Sequence, residues 1–359
     1  MMKLTEKRKR RISYLLFSFM VICITPLCEK GRILSGAATS NSFSGEEIVC
    51  AIDLGDDMYG AQGLKTGFSY EMLKKFAKDN RCDVKIITAV TGENYIDSLN
   101  NGAVDILITP YSDSIMDQQE NARQLDHYTV WSVNGKETGK ARALDIWMSH
   151  IKGSHELEEY QERFYCSYNP IIKAVKGQKV SQVSPYDDLI RKYADELGWD
   201  WRMLAAVIYQ ESKFSINSVS HRGAKGLMQV MPKTGEYYGT DDLINPEKNL
   251  QAGTRHLKRL QNMFAKSGMN STDMIKFTLA AYNAGEGRIA DCRNFAASKG
   301  ADKNSWDTVV TLIPQMREDS VLEESSVKLG KFKGHETIAY VDNIMSLYDA
   351  ICTIHPSLQ

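Results

Sequence analysis

The chain has no surplus of either charge: 44 Lys and Arg stand against 45 Asp and Glu over 359 residues, a formal net charge of -1. Binding to a phosphate backbone draws on clustered basic charge, so nothing in this balance calls for a nucleic-acid partner. Metal-ligand spacing is missing too. The seven cysteines, Cys23, Cys28, Cys50, Cys82, Cys166, Cys292 and Cys352, are scattered, and no two lie at the separation of a zinc site. No metal or cofactor is therefore expected. Internal repeats and low-complexity tracts are absent. With 25% charged and 43% apolar residues the composition is that of an ordinary globular protein, and the length is that of two domains.

Apolar runs near membrane-spanning length are confined to the N-terminus. Lys3 and Lys7 to Arg11 precede an uncharged run from Ile12 to Cys28. A basic flank followed by an apolar segment is an export signal, and this one is at the low end of spanning length. Residues 1–37 are thus expected to be a signal peptide or a membrane or lipid anchor. Cys28 is a lipidation candidate, although Leu27 stands where a small residue is usual, and Ser35-Gly36-Ala37 is a rival cleavage site. The mature chain is expected in the periplasm or cell envelope, an outer-membrane lipoprotein being one form. In an oxidising compartment Cys50 and Cys82, at the start of neighbouring strands, are a disulfide candidate. The favoured reading is that they pack as small apolar side chains.

From Glu47 onward strand and helix patterns alternate. Strands are expected over 48–54, 83–89 and 104–109 and helices over 68–80 and 95–101, a βαβαβ unit with a parallel sheet. A returning strand over 128–133 and a helix over 140–164 follow. Residues 167–183, with Pro170, Gly177 and little periodicity, are expected as a linker, and Ser184-Pro185 as the start of the next helix. Further helices fit 247–265, with Leu250, Leu257, Leu260 and Phe264 on one stripe, and 336–352, with Ile338, Val341, Met345, Tyr348 and Cys352 on another.

Residues 200–232 carry the strongest argument for chemistry. Asp200 caps a helix that is apolar nearly all round, from Met203 to Tyr209, and therefore buried. Glu211 ends it. Burial and the negative end of the helix dipole both favour a protonated carboxyl there, which is what a general acid requires. A frayed, solvated helix end is the competing reading. A turn-rich segment follows, rich in Ser and containing Gly223 and Gly226. Gly226-Leu227-Met228-Gln229 then sets a lone amide among apolar residues, where it needs a partner in the protein or in a ligand. A third motif, Ala281-Tyr282-Asn283-Ala284-Gly285, closes a helix over 272–283.

These three motifs, in this order, resemble the catalytic domain of the soluble lytic transglycosylases, over roughly residues 184–355. The resemblance implies a mainly helical, lysozyme-like domain over 184–359 that cleaves the MurNAc-GlcNAc β-1,4 bond of peptidoglycan glycan strands. It makes Glu211 the catalytic acid and base, and Ser220, Gln229, Met231, Tyr282, Asn283 and Glu336 substrate-binding or cleft-shaping residues. One carboxylate suffices in that family, because the muramyl C6 hydroxyl attacks internally and leaves a 1,6-anhydro end, with no water to activate. A muramidase-type hydrolase, with Glu336, Asp241 or Asp242 orienting water, and a non-catalytic peptidoglycan-binding scaffold stay open as alternatives. Tyr237, Tyr238 and Trp306 are either stacking platforms for sugar or packing residues, with packing favoured.

The first half, over 46–166, is similar to the first α/β lobe of a periplasmic solute-binding protein, notably in Gly67-Phe68-Ser69-Tyr70-Glu71 and Asn101-Gly102-Ala103-Val104-Asp105. Only about fifteen residues separate its third strand from the returning strand, too few for a second lobe. The combination resembles the membrane-bound lytic murein transglycosylase F family with a shortened sensor module. Expected contacts are the glycan strand, the membrane through the N-terminus, and a stem peptide or envelope protein at the lobe. A structural spacer is the competing role for this lobe.

Overall fold

A computed structural model describes residues 43–54, 61–88, 93–119, 121–322 and 327–356. The expected export segment, with Cys23 and Cys28, lies outside them, as does Ala89 at the end of the expected second strand.

In chain order the first half contains β1 (Glu47–Ile52), α1 (Ala61–Asn80), β2 (Asp83–Thr88), α2 (Tyr95–Asn101), β3 (Ile106–Pro110), α3 (Asp113–Gln118), β4 (Ala122–Gln124), β5 (Thr129–Val133), α4 (Thr138–Lys152) and α5 (His155–Tyr165). The sheet order is β2-β1-β3-β5-β4. The β1, β2 and β3 strands are parallel, as the βαβαβ pattern requires. The returning strand β5 lies antiparallel beside β3, and β4 pairs antiparallel with β5 at the edge, so the sheet is mixed. At three residues β4 is too short to show a period-two signal. The helix expected over 140–164 is two helices. Gly153 and Ser154 break it, and Ser154 Oγ accepts from Leu157 N to start α5 afresh.

Strand periodicity assigns the faces. Ile48, Cys50 and Ile52 of β1 point into the main core with Phe68, Met72 and Phe76 of α1 and Leu144 and Trp147 of α4, while Ala51 and Leu107 face Tyr95 and Leu99 of α2. Cys50 is buried opposite Ile86, and both it and Cys82 are free thiols.

The second half is helical: α6 (Pro170–Val175), α7 (Asp187–Leu197), α8 (Trp201–Ser212), α9 (Pro232–Tyr237), α10 (Pro246–Phe264), α11 (Ser271–Ala284), α12 (Glu286–Ser298), α13 (Trp306–Leu312), α14 (Asp319–Leu322) and α15 (His335–Ile354). Residues 167–183, expected as a linker, include α6, which Asn169 caps ahead of Pro170 and which packs on α15. Val180 N donates to Ile354 O, tying the same segment to the end of α15. Helix α7 starts at Asp187 and not at Ser184-Pro185. The Asp187 carboxylate accepts from the backbone N–H groups of Val183 and Ser184 and from Ser184 Oγ, so the preceding residues form its entry turn.

One core cluster runs from Phe43 to Ile351 across both halves. Rings mark the crossing: Phe164 meets Tyr186 at 5.8 Å and Tyr168 meets Phe214 at 6.3 Å between centroids. Phe214 lies three residues beyond Glu211, so the first half abuts the segment that carries the candidate acid.

Candidate active site

Asp200 caps α8 as expected. Its carboxylate accepts from Arg202 N at 2.9 Å and from the Arg202 guanidinium, and the Tyr348 hydroxyl on α15 donates to it at 3.1 Å. From Met203 to Ile208 every side chain is buried. Glu211 sits one residue before the helix ends at Ser212, and the Tyr340 hydroxyl, also on α15, donates to its Oε1 at 2.5 Å. Helix α15 thus grips α8 at both ends, through Tyr348 at the cap and Tyr340 at the acid.

Beyond α8 the chain reverses through two non-glycine residues in left-handed conformation, Lys213 (φ 55°) and Phe214 (φ 66°). Such a pair is uncommon and needs its surroundings to hold it. Phe214 is fully buried against Tyr209 and Tyr168, and Lys213 Nζ lies 4.3 Å from the Tyr209 ring centroid.

Burial pushes the Glu211 carboxyl up to about 7, against the opposing pull of the Tyr340 hydrogen bond and the Lys213 charge. Burial also lowers the Lys213 ammonium. The Tyr282 and Tyr340 hydroxyls are pushed far up, first by burial and then by Glu211. An acid that is about half protonated at neutral pH, beside phenols that stay neutral donors, is poised to give up a proton to a leaving oxygen.

The Gly226–Val230 loop forms the facing wall. Ser212 Oγ donates to Leu227 O at 2.8 Å, and Tyr282 Oη donates to Met228 O at 2.7 Å. Asn249, fully buried on α10, accepts from Met228 N and donates to the carbonyls of Lys225 and Leu243, each at 2.8 Å. Gln229 has a left-handed backbone (φ 49°), and its amide finds protein partners, donating to Ser218 O at 3.0 Å and Gly226 O at 3.1 Å. Ser220 Oγ accepts from Ala224 N at 3.0 Å, closing the turn beside it.

Of the expected residues, the structure brings Tyr282 into the surroundings of Glu211, and Gln229 into the loop that Tyr282 holds. Met231 stands at the N-terminal boundary of α9, makes no side-chain capping bond, and is 42% exposed. Asn283 is exposed, and its Oδ1 accepts from Thr337 Oγ1 at 2.8 Å, joining the third motif to α15. Glu336 is placed differently: its carboxylate is 89% exposed and lies 3.9 Å from His335 Nε2. Tyr340, one turn further along α15, makes the contact with Glu211. Asp241 and Asp242 line a separate cavity with Tyr70 and strand β2.

Tyr340 and Asn249 were not singled out from sequence, and Ser212 entered only as the residue after Glu211 that opens the turn-rich segment. The buried face of α15 is Thr337, Tyr340, Val341, Ile344, Leu347, Ile351 and Ile354; the expected stripe shares Val341 with it, while its Ile338, Met345 and Tyr348 are half-buried at the edge of that face, so Tyr340 was passed over. A signal was present, since Tyr340 sets a hydroxyl within an apolar stripe. Asn249 gave none, because nothing local distinguishes a buried Asn from a solvated one.

Tyr340→Phe removes the donor that favours ionised Glu211. Its carboxyl is expected to rise further above 7, moving the alkaline limb of kcat/KM to higher pH by roughly one unit, with about a tenfold fall in rate from lost orientation. A pH profile of the variant beside wild type checks this. An unmoved limb would mean that the hydrogen bond does not set the acid.

Residues 188–305 match the family model Transglycosylase SLT domain. Among curated relatives, the membrane-bound lytic murein transglycosylase F of Desulfosudis oleivorans is 30% identical over 226 residues, 62% of this chain and 49% of that protein. Its namesake in Maricaulis maris is 36% identical over 159 residues, covering 44% and 34%. The chain spans about half the length, or less, of these relatives. Among solved structures, the 70 kDa soluble lytic transglycosylase Slt70 of Escherichia coli aligns at 22% identity and a TM-score of 0.32, over 61% of this chain and 35% of that one.

Proposed function

We propose that this chain, through its transglycosylase SLT domain, cleaves the β-1,4 bond between N-acetylmuramic acid and N-acetylglucosamine in peptidoglycan, leaving 1,6-anhydro ends. The observation that carries the reading is Glu211, a half-buried carboxyl held near pKa 7 and hydrogen-bonded by a neutral phenol. The protonated Glu211 gives its proton to the leaving glycosidic oxygen as the C1–O bond breaks. The resulting carboxylate then takes the proton of the C6 hydroxyl as that oxygen bonds to C1, and Glu211 ends as it began. No proton is gained or lost overall, and no water enters the products. A retaining or inverting hydrolase needs a second carboxylate across the bond. Glu211 is instead surrounded by Tyr340, Tyr282 and Lys213, which favours the internal nucleophile.

Residues 184–359 are the proposed catalytic unit, and 46–166 a lobe of solute-binding-protein type that contacts a stem peptide or an envelope protein, or spaces the enzyme from its anchor. The N-terminal basic and apolar pattern supports export to the envelope. Among the described residues no helix is long and apolar enough to cross a membrane, and no cluster of three or more His, Cys, Asp or Glu is placed to hold a metal.

Mass spectrometry of purified peptidoglycan digested by residues 38–359 tests the reaction. Products with 1,6-anhydro ends, 18 Da lighter than their hydrated counterparts by the loss of one water, are expected. Reducing ends would mean hydrolysis, and no products would return the protein to the scaffold reading.

A further inference from the structure

The turn that follows the candidate acid is held from outside its own helix. Lys213 and Phe214 both stand at positive φ, a conformation that non-glycine residues keep only where their surroundings over-determine it. Part of the hold is local: Lys213 N donates to Tyr209 O and Ser215 N to Ser212 O, each at 3.0 Å. Neither bond fixes the Phe214 side chain, whose fully buried ring meets two others. Tyr209, 5.5 Å away between centroids, is on the same helix as Glu211, whereas Tyr168, 6.3 Å away and edge-on at 81°, comes from the segment between the two halves.

Tyr168 is fixed in its turn. It is 8% exposed, and its hydroxyl donates to Arg163 O in α5. Lys173 Nζ, on α6, lies 5.4 Å from the centroid of its ring. Helix α6 packs on α15, the helix whose Tyr340 donates to Glu211. The Tyr168 ring is therefore wedged between α5, α6 and the turn after α8. Glu211 lies three residues before the ring that Tyr168 holds, so the direction of its carboxyl follows the turn. Sequence gave no sign of this contact, because residues 167–183 carry little periodicity and a single aromatic there reads as ordinary packing.

We propose that Tyr168 is a positioning residue for cleavage: its ring, anchored on the first half, holds Phe214 in the left-handed turn and so fixes the direction in which Glu211 presents its proton. The inference rests on the reading of Glu211 as the acid. It makes the segment between the halves a support of the site and not a spacer. Orientation of a proton donor counts in the transition state and little in ground-state binding, so loss of the ring acts on kcat and not on KM.

Tyr168→Ala, Tyr168→Leu and Tyr168→Phe are made in residues 38–359 and compared under conditions where urea denaturation shows the chain to be folded. In Tyr168→Ala, kcat on soluble glycan strands is expected to fall about ten- to a hundredfold with KM within about twofold of wild type. Hydrogen exchange at Lys213 N and Ser215 N is expected to quicken about tenfold or more relative to the amides of α11. Tyr168→Leu, which keeps most of the apolar volume, shifts both in the same direction and takes the place of the alanine chain if that one does not fold. Tyr168→Phe, which keeps the ring and gives up the bond to Arg163 O, restores kcat to within about threefold of wild type. Unchanged kcat in Tyr168→Ala overturns the proposal, as does a higher KM at unchanged kcat or a fall in kcat that Tyr168→Phe leaves unrepaired. The exchange measurement needs no turnover, so unchanged exchange overturns the proposal even in a chain without activity. Absence of 1,6-anhydro ends from the wild-type digest overturns the Glu211 reading alone, so failure of the contact and failure of the reaction are told apart.

Discussion

Glu211→Gln is expected to lower the rate of peptidoglycan cleavage by about 10³- to 10⁴-fold while making the protein more stable at alkaline pH. The first effect follows from losing the carboxyl that Tyr340 holds: an amide neither protonates the leaving oxygen nor accepts the C6 proton. The second follows from linkage. The folded-state pKa of about 7 lies above the ordinary value of 4.5, so between these limits the native state binds more protons than the unfolded chain. Stability therefore falls as pH rises through that window, by about 3 kcal/mol in full above pH 7, and the deficit vanishes below about pH 4.5. Glutamine carries no such penalty. Urea denaturation at pH 4 and pH 8 should show variant and wild type alike at the lower pH and the variant ahead at the higher. Loss of activity with lower stability at pH 8 would point to a damaged fold. The same protonation argument predicts that wild-type kcat/KM falls about tenfold per pH unit above 7.

Gly226→Ala is expected to destabilise the protein by about 4 kcal/mol or more and to abolish cleavage with it. Gly226 has φ +75°, where an L side chain costs about 1–2 kcal/mol. A methyl group there would also stand 2.2 Å from Leu243 O and 2.3 Å from Asn249 Nδ2. Relieving that overlap means moving Asn249, whose hydrogen bonds to Met228 N and to the carbonyls of Lys225 and Leu243 hold the wall of the site. Each buried backbone group left unpaired adds about 1–3 kcal/mol. Against a total stability of about 5–15 kcal/mol, the change is large enough to unfold the loop or the domain. Urea denaturation, with hydrogen exchange at Met228 N as the local probe, measures both. A variant of wild-type stability would show that the loop has room this geometry denies it.

Local pattern carried much of the architecture. The strand–helix alternation from Glu47, the all-round apolar helix behind Asp200 and the left-handed glycine at 226 are short-range features, visible because period and backbone preference act over a few residues. They raised Glu211 as a candidate acid against a solvated helix end, and the order of the three motifs strengthened that reading. What residues meet across the fold was not legible in the same way. Gly226, Met228 and Gln229 stand together in sequence, yet the groups that fix them, Asn249 and Tyr282, come from two other helices. Likewise 170–175 reads as linker until α15 supplies the surface it packs on.

By itself the sequence determined that a buried helix ends in a carboxylate and that a glycine-dependent loop follows it, because burial patterning and backbone sterics are written locally. Only the tertiary structure decided that Tyr340, and not Glu336, touches that carboxylate, that Tyr237 is exposed while Trp306 is core, and that Asp241 and Asp242 face another cavity. The first of these depends on the rotation of one helix about its axis relative to another, since a turn of one residue changes which side chain points inward without altering the composition that sequence patterns read, and the last on how the segment between two helices packs against the first half.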